Sequence, residues 1–254
     1  MKAGLNLFSI RNLIATEEDF LSTAKKLKEM GYSYLQYSGA PYDVERIKRV
    51  SEETEMPICL THVPFERIVN DTEKLMDEHE KFGCKYIGLG MMPLEKLTEE
   101  KAFKEGVEAL NRAGERMQKR GFKFFYHHHH FECIKFGEKT AFAYMIENAP
   151  YINFTVDTYW LQYGGMDIMA TLELLKGRIA CVHLKDYKIK FEEETKSFVP
   201  TFAPLGEGVL DFKKIIAKMQ TLGVEYYLVE QDNAAILPDT LEQVNKSIEY
   251  LKNV

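Results

Sequence analysis

Histidine and carboxylate side chains stand at the ends of several apolar runs in this sequence. His62, Asp157, His183 and Glu230 each end such a run. A charged group that emerges from an apolar strand needs solvent or a partner, because burying an isolated charge costs on the order of several kcal/mol. A shared divalent cation is one such partner, so these residue types indicate a metal centre.

The residue types also limit which ion is expected. Asp157, Glu230 and Glu132 with His183 form a set of three carboxylates and one imidazole, which suits Mn²⁺, Co²⁺, Mg²⁺ or Zn²⁺. No cysteine stands at these positions, which argues against a structural zinc site. We therefore predict one catalytic divalent ion, with Mn²⁺ as the leading choice. It would polarise a carbonyl or hydroxyl oxygen while a nearby carboxylate or histidine moves a proton.

Other residues have types suited to holding a substrate. The run from His127 to His130 follows an apolar strand, and alternation sends two of its four imidazoles inward. Trp160, the single tryptophan, offers an aromatic platform for a sugar face or packs in the core beneath a loop. Glu207 lies in the glycine-containing segment 204–208, which either bends close to a ligand or forms the rim. No P-loop pattern supports phosphate binding there.

Eight apolar runs of strand length alternate with amphipathic segments of helix length. Most of the runs are nearly continuous, as expected for strands covered on both faces. No change in composition marks a linker, so residues 1–254 are predicted to form a single domain. The predicted strands are Gly4 to Phe8, Tyr34 to Tyr37, Pro57 to His62, Tyr86 to Met91, Phe122 to His127, Ile152 to Thr158, Ile179 to Lys185 and Tyr226 to Gln231.

The segments between the strands have the period and the end signals of helices. In Glu17 to Met30 apolar residues recur at three- and four-residue spacing, and Thr16 followed by Asp19 predicts an N-cap. Eight such units favour a closed (β/α)8 TIM barrel over an open sheet, and catalysis in that fold occurs at the C-terminal ends of the strands. Glycines that can close helices precede several strands: Gly31, Gly83, Gly121, Gly177 and Gly223.

Composition argues against several other classes of protein. The formal net charge is −6, and the basic residues are scattered over predicted helix faces, so no nucleic-acid partner is expected. No apolar run approaches the roughly 20 residues needed to cross a bilayer. The four cysteines lie far apart without CxxC spacing, as in reduced proteins. We therefore predict a cytoplasmic protein that has no membrane partner.

Six motifs in chain order carry a resemblance that covers nearly the whole sequence. They are GLNLFSIR from Gly4, THVP from Thr61, YHHHHFE from Tyr126, DTYW from Asp157, HLKD from His183 and VEQD from Val229. Together they resemble the xylose isomerase-like barrel superfamily, in the branch usually labelled sugar phosphate isomerase/epimerase. The resemblance implies a TIM barrel that holds one divalent ion through Glu132, Asp157, His183 and Glu230.

The chain departs from this superfamily at two positions. Many relatives place the first glutamate at the end of strand five, where this chain has His127. Either Glu132 reaches back into the site, or His127 or His129 replaces it as a ligand. Relatives with isomerase activity often have a histidine three residues after the strand-six aspartate, where this chain has Trp160.

The resemblance implies enzymatic chemistry on a carbohydrate. A keto sugar loses the proton next to its carbonyl, and the fate of the enediolate separates isomerisation or epimerisation, which we place slightly ahead, from β-elimination. Inosose dehydratases and subunits that cleave 3-keto-glycosides are relatives of the eliminating kind. The residues expected to move protons are Glu132, Glu230, His62, His129 and Lys185. Those expected to contact substrate are His127, Trp160, Lys185 and Glu207.

Two alternatives belong to other classes. Endonuclease four enzymes share the barrel, but they use a trinuclear site and a basic surface for DNA, which the charge balance disfavours. A sugar-binding barrel without catalysis would have the four ligands too dispersed for an ion. The chain could act alone, as a homo-oligomer or together with a small second subunit. The sequence does not distinguish these three arrangements.

Overall fold

The computed structural model describes all residues from Met1 to Val254 and contains a closed barrel of eight parallel strands. Each strand pairs with its neighbours in sequence, and β1 pairs with β8 to close the barrel. The predicted (β/α)8 TIM barrel is therefore confirmed. Strands β1 to β8 are Gly4–Asn6, Tyr34–Tyr37, Ile58–His62, Tyr86–Leu89, Lys123–His127, Ile152–Asp157, Cys181–Leu184 and Tyr226–Val229.

Eleven helices lie outside the strands. The first spans the predicted residues, and Thr16 and Asp19 form a reciprocal capping box at its start. All five glycines predicted to close helices have positive φ, for example 110° at Gly31. Helices α1 to α11 are Glu17–Met30, Val44–Thr54, Phe65–Asn70, Thr72–Glu80, Leu94–Leu97, Glu100–Lys119, Ala141–Asn148, Thr158–Tyr163, Ile168–Leu174, Phe212–Thr221 and Thr240–Leu251. No helix combines the length and the apolar character needed to cross a membrane.

The structure differs from the prediction in the segments that leave the strands. The first predicted strand ends early, because the Asn6 side chain accepts a hydrogen bond from Phe8 N and the chain enters the 3-10 helix Leu7–Leu13. A long hairpin that was not predicted joins Asp186–Glu192 to Ser197–Ala203. A second, short hairpin joins Lys135–Phe136 to Lys139–Thr140. These additions all lie beyond the strand ends that carry the candidate site.

Apolar packing divides the barrel into a filled part and a polar part. A cluster of 57 buried residues, mostly between strands and helices, holds the helices to the barrel. A second cluster consists of seven buried residues, most of which lie before the last position of their strand. The polar side chains of the candidate site come after them, at the C-terminal ends of the strands. The seven are Tyr34, Cys59, Leu60, Phe125, Ala180, Cys181 and Leu228.

Two glycines in α6 give a matched test of how closely that helix packs. A Cβ on Gly114 would lie 2.5 Å from the backbone oxygen of Tyr151, whereas one on Gly106 would meet only flexible side-chain atoms of Lys96 and Met92. We expect Gly114→Ala to lower the free energy of unfolding by about 1–3 kcal/mol. Gly106→Ala should raise it by up to about 1 kcal/mol, because alanine favours a helix. Urea unfolding followed by circular dichroism measures both; equal effects would contradict the packing.

Candidate metal centre and catalytic site

Four buried side chains converge at the C-terminal ends of neighbouring strands. His127 ends β5, Asp157 ends β6, His183 lies on β7, and Glu230 directly follows β8. Each offers one ligand atom, and the four atoms lie within 4.8 Å of one another. The barrel register places Asp157 directly beside His183. Residues separated by up to about a hundred positions thus form one group, the ligand group, which could hold a metal ion.

The contacts inside the ligand group are those of atoms that need a cation between them. His183 Nδ1 lies 2.7 Å from Glu230 Oε2 and 3.1 Å from His127 Nε2. His127 Nε2 lies 3.4 Å from Asp157 Oδ2. Glu230 Oε2 is buried and faces His183 Nδ1 at 2.7 Å and Lys185 Nζ at 3.2 Å. Buried carboxylate oxygens that face imidazole nitrogens fit a divalent ion that accepts both oxygen and nitrogen ligands.

Lys185 supplies part of the positive charge that the carboxylates require. Its Nζ lies 3.0 Å from Asp157 Oδ2, 3.2 Å from Glu230 Oε2 and 2.9 Å from Asp232 Oδ1. The lysine is 1% exposed, so the ammonium has no access to bulk solvent. Three carboxylates beside one ammonium leave two negative charges when His183 is neutral, and one divalent cation would then balance them.

Burial and charge set the protonation of the ligand group. Burial lowers the pKa of His183, but Glu230 and Asp157 outweigh it and raise that pKa to about 9. Burial lowers the pKa of His127 to about 3, so this imidazole is neutral. Against the opposing effect of burial, Lys185 holds the pKa of Asp157 well below its usual value. His183 must therefore lose a proton when an ion binds, whereas the other ligands are ready to bind.

Two amides from the first two strands orient the ligand group. Gln36 on β2 accepts a hydrogen bond from His183 Nε2 at 2.7 Å and contacts His62 Nε2 at 2.8 Å through its amide nitrogen. The bond to Gln36 keeps the proton of His183 on Nε2 and leaves Nδ1 free as a ligand. Asn6 Nδ2 donates to Glu230 Oε1 at 2.9 Å, which leaves Oε2 facing the group.

Asp157 is oriented by its neighbours in the chain. Its Oδ1 accepts a hydrogen bond from Trp160 N at 3.0 Å and so caps α8, while Oδ2 faces the ligand group. The Asp157 backbone N–H donates to His128 Nε2 at 3.1 Å. His128 is thus one of the histidines in the run that serve structure, because its ring holds the end of β6.

Glu132 lies outside the ligand group, where the sequence analysis had expected the fourth ligand. Its Oε1 accepts a hydrogen bond from the Tyr126 hydroxyl at 2.6 Å, and its Oε2 accepts one from His129 N at 2.7 Å. Both oxygens are therefore engaged, and the 3-10 turn Phe131–Cys133 keeps the carboxyl away from the strand end. Burial raises its pKa to about 7. His127 takes the position in the group, as one of the sequence alternatives allowed.

A cavity of about 350 Å³ opens beside the ligand group. Five of the residues predicted to act in catalysis or binding line it: His62, His127, His129, Lys185 and Glu230. The other lining residues are Phe8, Ser38, Gly90, Met91 and Asp232. Burial raises the pKa of the Asp232 carboxyl to about 6. The cavity wall thus combines imidazoles with two carboxylates, Glu230 and Asp232, that both contact the Lys185 ammonium.

Trp160 and Glu207 do not line this cavity, although both were predicted to bind substrate. Trp160 packs among aromatic rings, 5.2 Å from the His129 ring centroid, and its ring lies 5.2 Å from Lys185 Nζ. The Trp160 ring therefore packs near Lys185 without lining the cavity. Glu207 points to the surface, where its carboxylate lies 3.2 Å from Lys246 Nζ. The glutamate is therefore a rim residue. The backbone N–H groups of its neighbours Gly206 and Gly208 donate to Asp186.

Three residues of the site were not predicted from the sequence. Asn6 and Gln36 are polar side chains near the ends of apolar strands, where the sequence prediction considered only charged residues and histidines. Asp232 lines the cavity and contacts Lys185. Applying the strand-end rule to amides would have found the first two.

Comparison with known proteins assigns the chain to a family. A family model described as xylose isomerase-like TIM barrel matches residues 24–254. This chain belongs to that family. The match includes the four residues of the ligand group and the strands that carry them. The resemblance seen in the sequence motifs is therefore confirmed at the level of the family.

Individual members of the xylose isomerase-like family resemble the chain over most of its length. An inosose dehydratase of Clostridium perfringens is 29% identical, with 89% of this chain and 84% of that protein covered. A sugar phosphate isomerase/epimerase structure from Parabacteroides distasonis has a TM-score of 0.80 at 23% identity, covering 100% of this chain and 98% of that one. A family structure from Mycobacterium smegmatis in complex with magnesium has a TM-score of 0.73 at 15% identity, covering 99% and 95%.

The contact between Gln36 and His183 generates a test. Gln36→Leu removes the acceptor that orients His183, so we expect the affinity for Mn²⁺ to fall about 10- to 100-fold. Gln36→Glu keeps an acceptor oxygen at that position and should keep the wild-type affinity or exceed it. Titration calorimetry with Mn²⁺ measures both variants. Unchanged affinity in Gln36→Leu would show that His183 needs no such partner.

Proposed function

We propose that this chain is a divalent-metal-dependent enzyme that removes the proton next to the carbonyl of a keto sugar or keto polyol and then eliminates water. The observation that carries the proposal is the ligand group beside a cavity that also contains Lys185 and Asp232. Mn²⁺ is the proposed ion, and the same ligands suit Co²⁺, Mg²⁺ or Zn²⁺. When bound, the ion supplies Lewis-acid polarisation of the carbonyl, which makes the neighbouring C–H more acidic.

Two side chains in the cavity provide the base and the acid that elimination needs. Asp232 Oδ1 and Lys185 Nζ lie 2.9 Å apart, and both residues line the cavity. We assign Asp232 as the base for the carbon-bound proton and Lys185 as the acid for the departing hydroxyl group. The C–H electron pair forms the new double bond, and the hydroxyl leaves as water with the lysine proton. Because the two groups are in contact, a proton passing from Asp232 to Lys185 restores both.

The neutral imidazoles of the cavity have a different proposed role. His62 lies with Nε2 on Gln36 and Nδ1 3.3 Å from Ser38 Oγ, and burial lowers its pKa to about 3. His129 lines the same cavity, and burial holds its pKa far below the usual value. Uncharged imidazoles can accept or donate one hydrogen bond per nitrogen. We propose that His62 and His129 orient substrate hydroxyl groups.

Elimination is favoured over the epimerisation that the sequence analysis placed slightly ahead. Epimerisation at one carbon needs proton-transfer groups on both faces of that carbon. The proposed acid and base, Lys185 and Asp232, are in contact on one wall, which suits removal of a proton and a hydroxyl group from the same face. Several curated relatives at 26–29% identity are named inosose dehydratases, which also supports elimination.

The reaction class can be tested in D₂O with metal-loaded protein, inosose and a panel of keto sugars. We expect NMR to show deuterium next to the carbonyl together with loss of one water from the substrate. Deuterium uptake without loss of water would replace elimination by isomerisation or epimerisation. Uptake at the same rate in metal-free protein would contradict the proposed role of the ligand group.

A matched pair of variants controls this experiment. Asp157→Asn removes a ligand charge but keeps an oxygen that can accept from Trp160 N, so α8 stays capped. This variant should lose bound metal and lower kcat/KM by more than about 100-fold. Changing a residue that only hydrogen-bonds to a metal ligand costs up to about 100-fold, and loss of a ligand should cost more. Asp167→Asn makes the same change at the cap of α9, where Asp167 accepts from Ala170 N, and should behave as wild type.

The separate roles of Lys185 and Asp232 predict that their variants differ in the rates of deuterium exchange and water loss. Lys185→Met should lower the rate of water loss by about 10²- to 10⁴-fold while deuterium exchange next to the carbonyl continues. Asp232→Asn should lower both exchange and water loss, because the base acts first. The two rates are read from the same NMR experiment, with metal content measured for each variant. Equal loss of exchange in both variants would reject the assignment.

A further inference from the structure

The long hairpin that follows β7 carries apolar side chains on one face. Its strands are Asp186–Glu192 and Ser197–Ala203, and they pair antiparallel with Phe191 opposite Phe198. Alternate residues of a strand point to the same face of a sheet, and residues directly opposite each other share a face. One face of the hairpin therefore bears a row of apolar residues, the hairpin stripe, which consists of Tyr187, Ile189, Phe191, Phe198, Pro200 and Phe202.

Only the base of the hairpin stripe is covered by the rest of the chain. The Tyr187 and Phe202 rings pack against the Tyr159 ring, with centroid distances of 5.2 and 4.8 Å. The outer part of the stripe is open to solvent, with Phe198 75% exposed and Ile189 54% exposed. Neighbouring apolar side chains on a surface are typical of sites where proteins bind one another. The outer part of the stripe thus has the character of an interface.

The two outer edges of the hairpin differ in what they offer a partner. Tyr187 O accepts a hydrogen bond from Val209 N, so the Tyr187 backbone points away from the other hairpin strand. This direction recurs at every second residue of an antiparallel strand, so the backbone groups of Ile189 and Phe191 also point outward, where no other strand pairs with them. On the other strand an outward position is held by Pro200, which has no N–H to donate. The edge that contains Ile189 and Phe191 is therefore the open edge.

The charges along the open edge are complementary to those of a second copy. On the face opposite the hairpin stripe the strand carries Lys188 and Lys190 first and Glu192 at its end. A copy that pairs antiparallel, with Phe191 facing Phe191, would place each Lys190 across from Glu192 of the other copy. A parallel copy in register would place like charges together. Opposite charges that face each other stabilise paired strands, and like charges destabilise them, so the open edge favours its own antiparallel copy.

We propose that two copies of this chain associate through the hairpin, so that their open edges join into one antiparallel four-stranded sheet. The outward backbone groups of Ile189 and Phe191 would then be paired across a two-fold axis near Phe191. The two hairpin stripes would lie side by side on one face of the sheet, and Lys190 and Glu192 would pair on the other. The association does not use the ligand group, so it is independent of the proposed function.

Charge reversal at the open edge tests this pairing directly. Lys190→Glu would place glutamate across from Glu192, and Glu192→Lys would place lysine across from Lys190. Each variant alone should dimerise at least about 10-fold more weakly than wild type, because both symmetry-related pairs change from attraction to repulsion. Mixed in equal amounts, the two variants should form a heterodimer, because every facing pair then has opposite charges. Lys101→Glu makes the same change on α6 and should match wild type.

A second pair of variants tests the hairpin stripe. Ile189→Ser removes apolar surface from both copies of the interface, and we expect it to weaken the dimer at least about 5-fold. Ile236→Ser makes the same change at an isoleucine that is 77% exposed outside the hairpin, and it should match wild type. Sedimentation velocity over a range of concentrations measures all the samples, with one charge variant fluorescently labelled in the mixture. Circular dichroism checks that each variant folds.

The outcomes of these measurements are distinct. Weak association of each charge variant alone, with a heterodimer in their mixture, supports the proposal. A wild type that stays monomeric up to about 1 mM overturns it, and this is also the result expected if the hairpin stripe serves a different protein. A wild-type dimer that the charge reversals leave unchanged overturns it as well, because the contact then lies elsewhere. If the charge variants do not fold, the comparison of Ile189→Ser with Ile236→Ser decides: equal association of the two overturns the proposal.

Discussion

Buried negative charge at the mouth of the barrel is the constraint on which the site depends. Asp157, Glu230 and Asp232 lie within contact distance of one buried ammonium group. Each carboxylate would be strongly destabilised alone, because the interior screens charge weakly. The lysine offsets part of this cost and leaves a deficit of two charges. A divalent cation would balance that deficit when His183 is neutral.

The barrel meets this constraint by giving each ligand a second contact. Asn6 holds one oxygen of Glu230, Gln36 holds the far nitrogen of His183, and the start of α8 holds one oxygen of Asp157. The remaining atom of each ligand then has one direction in which to point. Packed residues near the other ends of the strands keep the strands in register below this layer. A preorganised group of this kind would bind an ion with little movement of its side chains once His183 has lost a proton.

Residues of the loops beyond the strands surround the ligand group. The Asp186 carboxylate accepts hydrogen bonds from the loop after β7, and the Trp160 ring lies 5.2 Å from Lys185 Nζ. Glu132 holds the turn that carries His129, which lines the cavity. In this family the fold is shared by proteins with different names, so the function has to be argued from the site and not from the barrel.

The sequence by itself determined the barrel, because strand length and helix period are local properties that repeat eight times along the chain, and glycines that close helices mark five of the repeats. It also identified Asp157, His183 and Glu230, since a charged group or histidine at the end of an apolar strand is visible without knowing its partners. Only the tertiary structure brings His127, and not Glu132, beside Asp157, His183 and Glu230, because Tyr126 and His129 engage the two oxygens of Glu132. The hairpin Asp186–Ala203, the role of Asp232 and the pairing of Gln36 with His183 likewise depend on contacts between distant residues, and the order of residues along a chain does not encode those distances.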